Sequence, residues 1–129
     1  MTTLVTGGLG YLGSRLIREL PHHPSFSGET IRILDNYRQP RFHALWDLPV
    51  TSDYEFIEAD IRDRDAVADA LDGVDTVFHL AAVTNASETF DIEEKTWDVN
   101  YDAALDLYEA AEQADVDEFV NVSTCSVYG

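Results

Sequence analysis

Between Thr6 and Gly13 the chain reads Thr-Gly-Gly-Leu-Gly-Tyr-Leu-Gly. Gly7, Gly10 and Gly13 recur at three-residue intervals, directly after the apolar Leu4 and Val5 and where a helical pattern begins. With Gly8 the same stretch also fits G-x-G-x-x-G. Each glycine has a physical reason. The first lets the chain turn sharply off a strand, where a Cβ would clash. The second lets backbone come close to an anion, and the third lets the helix pack on the strand. The helix start then offers amide N–H groups and partial positive charge. A strand, a glycine turn and a helix start are the arrangement that holds a dinucleotide pyrophosphate.

Other residues able to bind or react stand where apolar runs end. Asp35 closes Ile31-Arg32-Ile33-Leu34, where an acid can accept ribose hydroxyls. Asp60 follows Tyr54–Glu58, Ala81 follows Thr76–Leu80, and Ser123 and Thr124 follow Phe119–Val122. His22, His23 and His43 lack metal-ligand spacing, so no metal site is expected. His79 reads as a packed strand-end residue. Cys125 reads as a small packed residue, since no basic partner is evident to activate it.

These residues need elements to position them. Residues 2–6 read as a strand, and 11–20 as a helix with Leu12, Leu16, Ile17 and Leu20 on one face. Pro21 and Pro24 bracket a loop before the second strand, which ends at Asp35. Residues 37–53 read as irregular, broken by Pro40 and Pro49, with one helical turn around Phe42–Trp46. Tyr54–Glu58 is the third strand. Residues 64–72 form a short helix with Gly73 as its C-cap, and Thr76–Leu80 is the fourth strand. Residues 91–114 fit a long helix, whose stripe of Trp97, Tyr101, Leu105 and Tyr108 is expected in the core. Phe119–Val122 is the fifth strand. Strands alternating with helices predict right-handed crossovers. The expected fold is α/β, a doubly wound, Rossmann-like parallel sheet of about five strands. Ligands then bind beyond the carboxyl ends of the strands, at the switch point.

The 129 residues allow one domain at most, and 45% hydrophobic content supplies a core. No apolar run approaches the roughly 18 residues of a membrane span. No basic-then-apolar leader opens the chain, and a single cysteine excludes an internal disulfide. A cytoplasmic location is the expectation. Acids number 25 against 8 basic residues, a net charge of −17, and Lys95 is the only lysine. Nucleic acid and anionic membrane would be repelled and are not expected partners. The acids are spread through periodic apolar segments, which fits a solvated surface adapted to high salt. That composition resembles proteins of salt-loving archaea.

The motifs together resemble the extended short-chain dehydrogenase/reductases, and among them the nucleotide-sugar epimerases and dehydratases. The resemblance covers essentially the whole chain. Thr6–Gly13 is similar to the family's TGxxGxxG loop, and Leu34-Asp35-Asn36 to its acid-ended second strand. Ala59-Asp60-Ile61-Arg62-Asp63 resembles the adenine-side motif, and His79-Leu80-Ala81-Ala82 the fourth-strand end. Val99-Asn100 with Leu107-Tyr108-Glu109-Ala110-Ala111 resembles the central helix. Val122-Ser123-Thr124-Cys125-Ser126-Val127-Tyr128-Gly129 resembles the active-site strand end.

The resemblance implies NAD as cofactor. Tyr11 and Leu12 would offer backbone N–H groups to the pyrophosphate, beside Gly7, Gly10 and Gly13. Asp35, with Asn36, would take the adenosine ribose, and its charge would repel a 2′-phosphate. Arg38 and Arg41 follow closely with the opposite charge. Asp60 would meet the adenine amino group and Ile61 would cover the ring. Leu80, Ala81 and Ala82 would line the nicotinamide-side ribose, with Ser123 at the neighbouring strand end. Asn100 would stabilise a kinked active-site backbone. Thr124 would hydrogen-bond the sugar oxygen that gains or loses a proton.

Family chemistry also needs a Tyr-x-x-x-Lys pair, with the tyrosine as general base. Lys95 has no such tyrosine before it, and Tyr128 belongs to a Val-Tyr-Gly turn. The expectation is therefore an N-terminal part. Residues 1–129 would form an incomplete NAD-binding domain, without the substrate domain and inactive by itself. The longer protein would take a nucleotide-sugar, and pairing as a homodimer is the expected assembly. Dehydratases of the family carry Asp-Glu directly after the threonine, where this chain has Cys125 and Ser126, so an epimerase is favoured. Two alternatives stand beside it. One is a non-catalytic dinucleotide-binding module or redox-sensing regulator. The other is an NAD(P)-dependent reductase of a non-sugar ketone.

Overall fold

The computed structural model describes residues 1–37, 42–81 and 101–122. Five strands form one sheet: β1 (Thr2–Thr6), β2 (Thr30–Asp35), β3 (Asp53–Glu58), β4 (Thr76–His79) and β5 (Glu118–Asn121). All pairings are parallel, and the spatial order is β3-β2-β1-β4-β5. The chain thus builds outward from β1 in one direction, then crosses back to β4 on its other side. The switch point lies between β1 and β4, where ligands bind in such sheets.

Among the described residues three α-helices flank the sheet: α1 (Tyr11–Glu19), α2 (Arg64–Ala70) and α3 (Ala103–Gln113). Burial follows the alternation of the strands. Val5, Ile31 and Ile33 face α1, packing with Ile17 and Leu20. Leu4, Leu34 and Val77 face the other way, against Val67, Ala70, Leu71, Ala103, Leu107 and Ala111. β1 is therefore buried on both faces, as a central parallel strand must be. Each such aliphatic side chain contributes about 1.5–3 kcal/mol when fully buried.

Two arginines hold the connections. Arg32 on β2 donates to Glu55 Oε2 at 2.6 Å and to the carbonyls of Ala70 at 2.7 Å and Asp72 at 2.8 Å. Arg18 on α1 donates to the carbonyls of Ala44, Trp46 and Asp47, fastening the turn at Phe42–Leu45 and the residues after it.

Three expectations are corrected. Leu12 is exposed rather than inward, because Gly13, one residue on, is the position that meets the backbone after β1; Gly13, Ile17 and Leu20 make the buried face. The short helix stops at Ala70 with Leu71 as C-cap, and Gly73 takes the following left-handed turn at φ 70°. Arg32 collects the carbonyls there and ends the helix early. Tyr101, just before α3, and Leu105 and Tyr108 on it are about half exposed, and the buried face of α3 is Ala103, Leu107 and Ala111. These three pack in the core cluster with Leu4, Val67, Ala70 and Val77, so the aliphatic stripe rather than the aromatic one is covered. The earlier part of that expected helix, Trp97 included, lies outside the described residues.

Candidate functional site

The turn after β1 is shaped by contacts a side chain would forbid. Gly7 has φ 70°, and its N–H continues the β2 pairing by donating to Leu34 O at 2.7 Å. A Cβ on Gly7 would lie 2.7 Å from Ala81 N and 2.8 Å from Ala81 Cα. The glycine turn and the end of β4 are thus in backbone contact at the switch point. A Cβ on Gly13 would collide with Gly7 O and lie 2.7 Å from Gly8 Cα, so α1 can pack here only through glycine. Gly10 differs. Its φ of −75° suits any residue, and a Cβ there would meet only Gly7 O, at 3.2 Å. The protein's own packing demands glycine far less at Gly10, while a ligand approaching the helix start would demand it. That open backbone fits a pyrophosphate.

Gly10 is the N-cap of α1, and its carbonyl accepts the first helical bond from Ser14 N at 3.0 Å. The first-turn amides of Tyr11, Leu12 and Gly13 stand at the carboxyl edge of the sheet, the positive end of the helix. The Tyr11 and Leu12 side chains are 76% and 56% exposed, so only backbone lines the inner side of this turn.

At the end of β2, Asp35 is oriented by two amides. Oδ2 accepts Leu9 N–H at 3.0 Å, and Oδ1 accepts Tyr37 N–H at 3.0 Å. Each oxygen keeps a lone pair for a further donor, such as a ribose hydroxyl. Asn36 is exposed beside it. Tyr37 adopts φ 59°, rare for a non-glycine residue, and its ring stacks on Phe56 with centroids 5.3 Å apart and planes 3° apart.

After β3, Asp60 is turned onto its neighbour. Oδ1 accepts Arg62 N and Nε, both at 2.9 Å, and Oδ2 accepts Nη2 at 2.7 Å. Ile61 is buried among the residues that face α2 and α3. Asp63 caps α2 by accepting Ala66 N–H at 3.2 Å.

Beneath the switch point, Thr6 Oγ1 accepts Leu80 N at 3.2 Å and Ala81 N at 3.3 Å. The same hydroxyl shares a buried hydrogen bond with His79 Nδ1, 2.7 Å away. His79 is itself buried. Burial pushes its pKa down from 6.5 to about 4. His79 is a packed residue, as its sequence position suggested. Its link to Thr6 needs the β1–β4 register, which pairs these two residues.

The structure brings Gly7, Gly10, Tyr11, Leu12, Gly13, Asp35, Asn36, Asp60, Leu80 and Ala81 to one edge of the sheet. Ala82, Asn100, Ser123, Thr124, Arg38 and Arg41 lie outside the described residues. Among the described residues no cluster could hold a metal ion, and no helix is long and apolar enough to cross a membrane.

A doubly wound sheet with a glycine turn at its switch point and an acid closing the next strand defines a dinucleotide-binding protein. The chain belongs to the NAD dependent epimerase/dehydratase family, whose pattern matches residues 3–129. It is 35% identical over 128 residues to 3 beta-hydroxysteroid dehydrogenase/Delta 5→4-isomerase of Mycobacterium tuberculosis, spanning 96% of this chain and 32% of that protein. The UDP-glucose 4-epimerase of Stenotrophomonas maltophila, solved with bound NAD, is similar with a TM-score of 0.86 and 32% identity, over 100% of this chain and 38% of that one. The dTDP-glucose 4,6-dehydratase of Streptomyces venezuelae, also with NAD bound, gives 0.90 and 30%, over 100% and 41%. The chain therefore spans between about a third and two fifths of the length of these proteins.

Proposed function

We propose that this chain is the NAD-holding part of a nucleotide-sugar epimerase-like oxidoreductase, and that residues 1–129 form one incomplete domain of it. The observation that carries the cofactor assignment is the Asp35 carboxylate, fixed by Leu9 and Tyr37 amides beside the glycine turn. The first-turn amides of α1 would hold the pyrophosphate over Gly10. Asp35 would accept the ribose hydroxyls, with Asn36 beside it. Leu80, Ala81, Ala82 and Ser123 would line the nicotinamide-side ribose, and Asp60 and Ile61 the adenine side. Asp60 would accept the adenine amino group beside the bonds it makes to Arg62.

Bound NAD supplies a hydride acceptor for a sugar carbon and returns the hydride afterwards. Thr124 would hydrogen-bond the sugar oxygen whose proton is exchanged, and Asn100 would brace the backbone beside it. Cys125 and Ser126 replace the Asp-Glu that the dehydratases carry, which supports an epimerase. These 129 residues contain no Tyr-x-x-x-Lys pair. The expected result is saturable NAD binding by calorimetry, with no interconversion of UDP-glucose and UDP-galactose. Failure to bind NAD would overturn the cofactor assignment, and interconversion would overturn the need for that pair. The steroid dehydrogenase similarity favours one other reading, a reductase of a non-sugar alcohol or ketone. Competition of a steroid rather than a UDP-sugar for the longer protein would select it.

A further inference from the structure

The last residues of β2 and β3 are Asp35 and Glu58, and they are paired in register on adjacent parallel strands. Residues so paired project from the same face of a sheet. That face is the one packed by α1, because Ile33 and Ile31, two and four residues before Asp35, belong to the α1 cluster. Phe56 precedes Glu58 by two and shares the face. Tyr37, held by Asp35 Oδ1, folds back so that its ring lies flat on Phe56. Two carboxylates and one phenol thus gather at the ribose end of the site.

We propose that Glu58 is a specificity-determining residue, a second carboxylate that works with Asp35 to exclude dinucleotides bearing a 2′-phosphate. The inference deepens the NAD assignment and rests on it. Asp35 contacts the ribose hydroxyls, so a 2′-phosphate would sit against it and within the field of its exposed neighbour Glu58. Glu58 makes no contact that NAD needs. Its effect is repulsion of the wrong cofactor rather than attraction of the right one. Tyr37 reports the same crowding of negative charge. Desolvation first, then Glu58 and Asp35, push its phenol pKa upward.

The test is calorimetric titration of the chain and its Glu58→Gln and Glu58→Lys variants with NAD and with NADP, at low salt and in about 1 M KCl. Glu58→Gln is expected to tighten NADP by about three- to tenfold at low salt, from the Coulomb energy of one removed charge. NAD affinity should stay within about twofold, since hydrogen bonding at Asp35 is untouched. Glu58→Lys should move the ratio further in the same direction. The Glu58→Gln effect should shrink in high salt, where screening falls to about 3 Å. An unchanged NAD:NADP ratio in both variants would overturn the inference while leaving the NAD site intact. Equal weakening of both dinucleotides would overturn it too, showing a structural role instead. Binding of neither by the unaltered chain would instead overturn the cofactor assignment, and this inference with it.

Discussion

The Leu9 amide donates to Asp35 Oδ2 across 3.0 Å, joining the glycine turn to the end of β2. The acid is therefore a structural acceptor before any ligand arrives. Tyr37 N–H on its other oxygen fixes the plane of the carboxylate. Site and scaffold are the same hydrogen bonds.

Asp35→Asn should consequently destabilise the chain without any ligand present. An amide has one acceptor oxygen, so its NH2 group must face one of the two N–H donors. Leaving that donor unsatisfied costs about 1–3 kcal/mol, read from urea unfolding without cofactor. NAD affinity should fall as well. Unchanged stability in the variant would show that these bonds do not hold the turn.

Gly10→Ala and Gly13→Ala should separate binding from folding. At Gly10 the added methyl meets only Gly7 O at 3.2 Å, so stability should change by less than about 1 kcal/mol. NAD affinity should fall by roughly tenfold or more, about 1.4 kcal/mol, because the methyl occupies the pyrophosphate's path. At Gly13 the methyl strikes backbone, and the variant should lose at least about 3 kcal/mol or fail to fold. Chemical unfolding and NAD titration of both variants check this. Equal stability loss at the two positions would contradict it.

His79 should make stability fall with acidity. The unfolded ring takes a proton near pH 6.5, the folded ring only near about 4. Between those values the unfolded state holds more protons, so lowering the pH favours it. The contribution is complete above pH 6.5 and is lost by about pH 4. At most it amounts to about 3 kcal/mol. His79→Asn keeps a hydrogen-bonding partner for the Thr6 hydroxyl and removes the titration. Urea midpoints of both proteins at pH 7 and pH 5 should show a smaller drop for the variant. An identical drop would place the acid sensitivity in the carboxylates.

What was legible in the sequence was what local chemistry dictates. The spacing of Gly7, Gly10 and Gly13 speaks for itself, and Asp35 is marked by the apolar run it ends. The parallel sheet follows from the alternation of strands and helices, although the spatial order of its strands does not. Contacts that depend on register were hidden. Thr6 reaches His79 across 73 residues, and Asp35 meets Glu58 only because β2 and β3 align end to end. The face of α3 was misread for a different reason. Periodicity finds an apolar stripe, but Ala103, Leu107 and Ala111 form a second one, and that is the one packed in the core. Tyr37 at φ 59° had a faint signal, since an aspartate two residues earlier can bond its amide as a turn.

Salt should stabilise this chain. Its 25 acids exceed its 8 basic residues by 17, so most carboxylates lack a cation of their own. Among the described residues, Arg15, Arg32, Arg62 and Arg64 pair with acids, and Arg15 and Arg64 do so on largely exposed side chains. Such exposed pairs contribute little, about 0–1 kcal/mol each, so screening them loses less than it gains from relieving repulsion. The Debye length falls from about 10 Å at 0.1 M to about 3 Å at 1 M. The melting temperature should then rise by roughly 5 °C or more between 0.1 and 2 M KCl. Chloride is the right anion, because sulfate also strengthens apolar burial. A flat or falling melting temperature would show that the acidic surface is not adapted to salt.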